Sequence, residues 1–262
     1  VSTDTLTDAT RADICVAAVA DCFRGDGEII GSPMGTIPTI GARLARATFE
    51  PDLMLSNGES YFFEGDARLG ALVGPQGADE FAVVGWIPYR QVLDVLTSGR
   101  RHVMMGPVQI DPHGNANISA IGDWAKPKRQ VLGSRGGPGN TINHTTSYWI
   151  PKHSARVLTP KVDMVSCVGY DRAAELGSAG RFHEVRRVVT NLCVIDFETE
   201  AKVMRLRSLH PGVTVEEVVE ATGFELVIPA DVPTTRVPGD DELRIIRDVL
   251  DPRGMRLREV PA

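Results

Sequence analysis

The chain has 262 residues, 42% of them apolar and 24% charged, which is enough for one large α/β domain with a buried core. A formal net charge of −6 with interspersed signs argues against nucleic acid as the main partner. No apolar run approaches the roughly 20 residues that span a bilayer, so no membrane partner is expected.

Val1-Ser2-Thr3-Asp4-Thr5 lacks the basic and apolar regions of a secretory signal, which points to the cytoplasm. Thr7 to Phe23 reads as a helix, with Ile14, Ala17, Ala18 and Cys22 on one stripe and Gly25-Asp26-Gly27 as its stop. Cys15 and Cys22 lie on or beside that stripe, and Cys167 and Cys193 add no CxxC or metal-ligand spacing. Free core thiols and no metal site are therefore expected. Glu28–Ile30 would be the first strand, followed by a Gly/Pro loop and a helix-like run, Ile40 to Ala47.

The stretch from Phe49 to Gly65 is the most informative. Leu53–Leu55 reads as a short buried strand that breaks at Asn57-Gly58, a dipeptide that tolerates positive φ. A polar break at the carboxyl end of an apolar strand is where open α/β sheets bind ligands; an ordinary surface turn has the same appearance. Ala67 to Gly77 is glycine-rich, Phe81–Val84 reads as a strand, Tyr89–Leu96 as a short helix and Arg101–Met105 as the next strand. This alternation predicts an α/β fold with a single open, largely parallel sheet and helices on both faces. No repeat or linker divides the chain, so residues 1–262 are read as one domain.

Asp111-Pro112-His113-Gly114 forms a turn in which Pro fixes φ and Gly accepts a positive value. Gly133 to Asn140 is a glycine-rich loop whose backbone N–H groups are open to a phosphate or a developing oxyanion. Lys152, His153 and Arg156 read as a solvated rim. Val162–Val168 and Arg187–Phe197 read as strands, and Met204 and Leu206 alternate with Arg205 and Arg207 as a half-exposed strand. Thr214 to Glu217 is a capping box for a helix ending at Gly223, and Asp240 to Leu250 is a last helix with Leu243, Ile246 and Leu250 inward.

Several of these stretches together resemble one family. "GSPMGTIPTIGARLARATFEPDLMLSNGES" (31–60), "VQIDPHGNAN" (108–117), the glycine loop, "VTNLCVIDF" (189–197) and "LHPGVTVEEVVEATGFEL" (209–226) resemble the β subunits of family I CoA transferases, the glutaconate and 3-oxoacid type. The similarity runs from about Ile29 to Met255. It implies a CoA-transferase-like fold and a homologous α partner, expected as α2β2, with the active site between the chains. It also implies coenzyme A entering as part of the acyl-CoA substrate, with no permanently bound cofactor. In that family a glutamate just after the Pro-Asp strand is the nucleophile. Laying Pro51-Asp52 on the pattern puts Gly58 at that place and Glu59 one residue late. The resemblance also implies that Gly133, Gly136, Gly137 and Asn140 help to form the thioester pocket, although Arg135 interrupts the family's Gly-Ser-Gly-Gly loop.

Within the family, the chain most resembles the β subunits of the actinobacterial cholesterol ring-degrading CoA hydrolases. The reaction that this implies is retro-Claisen hydrolysis of a CoA-linked indane-dione acid, which needs proton transfer and oxyanion stabilisation but no enzyme nucleophile. Asn57 is then the candidate donor to the reacting oxygen. Glu59, Glu64, Asp66, His113 and His144 are the bases that this chain offers, and the partner could supply another. The alternative is a CoA transferase subunit moving CoA between an acyl-CoA and a carboxylic acid with Glu59 displaced into the nucleophile's place. A non-catalytic subunit is the third possibility.

Overall fold

The computed structural model describes residues 8–56, 61–64, 82–91, 94 and 97–261. The first helix, α1 (Arg11–Cys22), opens on a reciprocal cap. Thr10 Oγ1 accepts from the Asp13 N–H at 3.2 Å, and the Asp13 carboxylate accepts from the Thr10 N–H at 3.0 Å. Its residues from Ala12 to Ala20 are all buried, because neighbours enclose the helix on every side. One neighbour is α2 (Thr36–Thr48), which approaches α1 at Gly41, where any Cβ would collide with Val19.

Among the described residues the main sheet has nine strands. In chain order they begin with β1 (Ile30–Pro33), β2 (Met54–Ser56), β3 (Tyr61–Glu64), β4 (Ala82–Trp86) and β5 (Arg101–Met105). Two small antiparallel ribbons follow, β6 (Gln109–Ile110) with β7 (Ala116–Asn117), and β8 (Ala120–Ile121) with β9 (Arg129–Gln130). Helix α3 (Gly137–Asn143) leads into β10 (Thr145–Ile150). Helix α4 (Tyr170–Ala174) precedes β11 (Glu184–Thr190), β12 (Cys193–Asp196) and β13 (Arg205–Leu209). The spatial order is β13-β12-β11-β10-β5-β1-β2-β3-β4. The centre, β11 to β2, is parallel, and both edges turn antiparallel. The expected parallel sheet is therefore present at the core, with hairpins closing each side.

Alternation along the central strands sends residues to two different layers. Leu55, Met104 and Trp149 pack with α1, α2 and the C-terminal helix, where Ile246 and Leu250 are buried. That helix starts as α6 after α5 (Val215–Glu220). It runs over Asp240–Arg244, continues as a π-type turn over Ile245–Leu250, and is followed by α7 (Arg256–Glu259). Val103, Met105, Tyr148 and Ile150 face the other way, onto Ile110, Leu158, Cys167 and Val218 of α5. This second layer consists of short helices and the two ribbons.

Three expectations are corrected. Val162–Val168 is not a strand: only Cys167 bridges to Ala116, and Asp163 is tied to the Gln109 side chain and the Gly122 N–H instead of a neighbouring strand. Arg187–Phe197 is two strands, because Thr190 Oγ1 accepts from the N–H groups of Leu192 and Cys193 and folds the chain into a hairpin. His153 is no rim residue. It is buried, with its ring between the hydroxyls of Thr190 and Thr222 at 3.0 and 2.9 Å. Of the helix expected at Tyr89–Leu96, the described residues show a 3₁₀ turn over Tyr89–Gln91 and a helical Asp94; residues 92, 93, 95 and 96 lie outside the described residues.

Asp13 also ties the C-terminus to α1. Its wholly buried carboxylate accepts from Arg247 Nη2 at 2.8 Å and Arg256 Nε at 2.6 Å. Burial would raise its pKa, but the hydrogen bonds from Arg247, Thr10 and Arg256 outweigh that and hold it below the usual carboxylate range. Asp13→Asn keeps the shape and removes the charge facing the buried Arg256, so a loss of about 3–5 kcal/mol is expected. Urea unfolding of the variant checks this; an unchanged midpoint would show that Asp251 alone compensates Arg256.

Candidate functional site

Asn57, Gly58 and Glu59 lie outside the described residues, as does Asp66; Ser56 is the last described residue before them. The site is therefore built from its walls. The β1–β2 register, with Gly31 beside Leu55, sets Ser32 beside Ser56, and their hydroxyls meet at 2.7 Å. Both serines are buried. Arg101, at the start of β5, points to the same place: its Nε donates to Ser32 Oγ at 2.8 Å and its Nη1 to Asn140 Oδ1 at 3.1 Å. Asn140, from the glycine-rich segment, is thus linked through Arg101 of β5 to Ser32 of β1 and Ser56 of β2.

The electrostatics of this cluster are unusual. Arg101 is buried, yet no carboxylate among the described residues pairs with it, and burial lowers its pKa to about 10. His144, which ends α3, is wholly buried with both ring nitrogens unpartnered. Burial first, and the Arg101 charge second, lower its pKa to about 4, so the ring is neutral near pH 7.

The glycine-loop residues divide by what they face. Gly133 has φ +81° with open space where a Cβ would be, and Gly136 faces the Asn140 amide at 3.6 Å. Gly137 faces the core: a Cβ there would lie 2.6 Å from Cys167 Sγ and 3.3 Å from Ile118 Cδ1. Its N–H already donates to Ser134 O at 2.9 Å. Gly137→Ala is therefore expected to destabilise by about 1–3 kcal/mol through overpacking. Gly136→Ala should stay near wild type. Urea midpoints of the two variants test this, and equal midpoints would contradict it.

The "VQIDPHGNAN" stretch serves as scaffold. Asp111 accepts from the N–H groups of His113 and Asn115 and from the Asn115 amide. Asn115 Oδ1 then accepts from the Gly169 N–H. Gly169 presses onto the turn so closely that a Cβ would collide with His113 O. Asn117 bonds Gln109, which also holds Asp163. These bonds pin residues 163–171 behind the glycine loop, and His113 belongs to that scaffold. The side chain of Glu64 is not among those described.

On the opposite face, Asp26, His102 and Ser147 line up at 2.7 and 2.9 Å in the order of a catalytic triad. His102 and Ser147 are wholly buried, Phe23 covers the imidazole, and Arg186 also holds Asp26. This row is a structural network with no access for a substrate. Arg101, Ser32 and Ser56 were not legible as site residues, because an Arg heading an apolar strand gives no hint of which neighbour its head will reach. Among the described residues no group of three His, Cys, Asp or Glu side chains is placed to hold a metal, and no helix is long and apolar enough to cross a membrane.

Comparison with known proteins gives a consistent picture. The coenzyme A transferase family pattern matches residues 16–221. The chain is 52% identical over 257 residues to the cholesterol ring-cleaving hydrolase IpdB subunit of Rhodococcus jostii RHA1, covering 98% of each. It superposes on the crystal structure of IpdAB from the same organism with a TM-score of 0.90, covering 98% of this chain and 100% of that one. The glutaconate coenzyme A-transferase of Acidaminococcus fermentans shares the fold, with a TM-score of 0.81 at 24% identity over 94% of this chain and 96% of that one. The chain belongs to the coenzyme A transferase family.

Proposed function

We propose that this chain is the β subunit of a CoA-thioester hydrolase that opens the last steroid ring, working with a homologous α chain in an α2β2 assembly. The observation that carries this reading is the 52% identity to a ring-cleaving hydrolase subunit in a chain with Gly58 where family transferases place their nucleophile. The substrate is a CoA-linked indane-dione acid. Water adds to a ring carbonyl, its oxygen bonding to carbon as a proton leaves to a base. The C–C bond then breaks, its electron pair passes to the α-carbon as an enolate, and a proton returns there. Asn57 donates to the developing oxyanion, Gly58 leaves room for the ring, and Glu59 follows them in the sequence without acting as nucleophile. Gly133, Gly136, Gly137 and Asn140 belong to the segment that flanks the acyl-CoA. Four buried cysteines without disulfides support a reducing compartment, the cytoplasm.

The test is to assemble the chain with its α partner and supply the ring substrate in ¹⁸O-water. Hydrolysis places one ¹⁸O in the new carboxylate, with no hydroxylamine-trappable enzyme thioester. A trapped glutamyl thioester, together with acyl exchange between CoA and a free acid, would make the assembly a transferase instead.

A further inference from the structure

We propose that Arg101, with Ser32, Ser56, Asn140 and His144, forms a subsite that binds a free carboxylate on the acyl part of the substrate. The inference rests on the ring-hydrolase reading for the identity of the ligand, and on geometry alone for the existence of the site.

A buried guanidinium is normally compensated, because an unpaired charge in a dry interior is costly. Two other arginines of the chain obey that rule. Arg256 sits between Asp13 and Asp251, and Arg186 between Asp26 and Glu184. Arg101 is as buried as Arg256, at 5% exposure each, but holds only two neutral oxygens, Ser32 Oγ and Asn140 Oδ1. Of the five guanidinium N–H groups, the two bonds account for one on Nε and one on Nη1. Nη2 makes no bond among the described residues.

His144 provides an independent sign. A wholly buried imidazole with neither nitrogen partnered is rare, and this one is close enough to feel the Arg101 charge. The strand register brings the two residues together: β10 and β5 pair at Thr145 and His102, so His144 and Arg101 stand just before that pair, and Asn140 takes the Arg101 bond on its side chain at 3.1 Å. Two unsatisfied donors beside one another, with no acid between them, fit an incoming anion. The planar fork of a guanidinium matches a carboxylate bidentately, and the neutral imidazole can add one further N–H. A phosphate, bulkier and doubly charged, suits the surface better than a place bounded by buried serines. The cluster includes Ser56, which directly precedes Asn57 in the sequence, so a carboxylate held there would tie the acyl group to the part of the chain that carries the proposed reacting residues.

The experiment compares two CoA-linked cyclic diketones in the assembled enzyme, one bearing a free carboxylate and the other its methyl ester. For wild type, KM for the acid should lie about 10–100-fold below that for the ester. In Arg101→Gln that advantage should vanish through KM, and Arg101→Lys should restore part of it. Propionate is the second probe: it should raise the Tm of the wild-type assembly and not that of Arg101→Gln, whatever the enzyme's reaction. Propionate protection without ring turnover would uphold the subsite and reject the hydrolase reading. Ring turnover with equal KM for acid and ester and no propionate effect would reject the subsite alone. A fall in kcat for both substrates with KM unchanged would overturn the proposal by making Arg101 an oxyanion stabiliser. Protection by inorganic phosphate in place of propionate would overturn it in favour of a phosphate site. If Arg101→Gln fails to fold, the wild-type acid–ester comparison and the propionate shift still decide.

Discussion

Asn57→Ala in the assembled enzyme is expected to lower turnover of the ring substrate by about 10²–10³, the usual worth of one donor to a developing oxyanion. Glu59→Ala should keep most of the activity. The contrast follows from chain geometry. Successive side chains along extended backbone point to opposite faces, so a carboxylate one residue past the family's nucleophile position does not inherit its direction. Gly58→Glu restores a carboxylate at the family position, where it should crowd the cyclic substrate and impair ring opening without creating a transferase. Ring turnover and acyl exchange between CoA and a free acid, measured for all three variants, decide the matter. Loss of all activity in Glu59→Ala together with acyl exchange in the wild type would reverse the assignment.

Where the fold was readable in the sequence, one side-chain pattern determined one environment. The helix at Asp240 to Leu250 was readable because Leu243, Ile246 and Leu250 recur on one face, and all three are buried. The Thr214 cap was readable because its partner, Glu217, is three residues away. What stayed hidden depended on distant contacts. Thr190 looks like any β-branched strand residue, yet its hydroxyl ends β11, starts the hairpin and orients His153. Val162–Val168 has strand composition, but Gln109, 54 residues from Asp163, claims it for the scaffold. The candidate site divides in the same way. The Asn57-Gly58 break and the glycine loop announce themselves by residue type, whereas the Arg101 cluster requires the β1–β2–β5 register, which no local pattern encodes.

The buried histidines should make the fold acid-labile well above the pKa of ordinary carboxylates. His144, His153 and His210 all have pKa values lowered to about 4, chiefly by burial. The unfolded chain protonates its histidines near pH 6.5. As pH falls from about 6.5 to 4 the unfolded state therefore binds more protons, and stability that is complete above pH 6.5 is progressively lost. The full effect is on the order of 3 kcal/mol for each ring. Hydrogen bonding shows why protonation is resisted. Thr222 donates its hydroxyl to Val218 O at 2.7 Å, so it accepts from His153 Nε2–H, and Nδ1 is left as the acceptor facing Thr190. A second ring proton would destroy that acceptor. At His210 one nitrogen donates to Thr190 O at 2.9 Å and the other faces the Thr235 hydroxyl at 3.0 Å. His144 has no acceptor for a proton among the described residues, and the Arg101 charge opposes its protonation. Asp13, Asp26 and Asp196, whose pKa values are lowered, act in a different window: their contribution is present above about pH 4 and disappears only below it. The urea midpoint should thus decline between pH 6.5 and 4.5, before carboxylate protonation begins to matter. His153→Gln, which keeps a neutral donor and acceptor, should flatten part of that slope while lowering stability at pH 7.5 only modestly. A midpoint constant from pH 7 to 4.5, with ring resonances that titrate near 6.5, would show that these imidazoles are accessible to protons in the native state and that the buried networks do not hold them neutral.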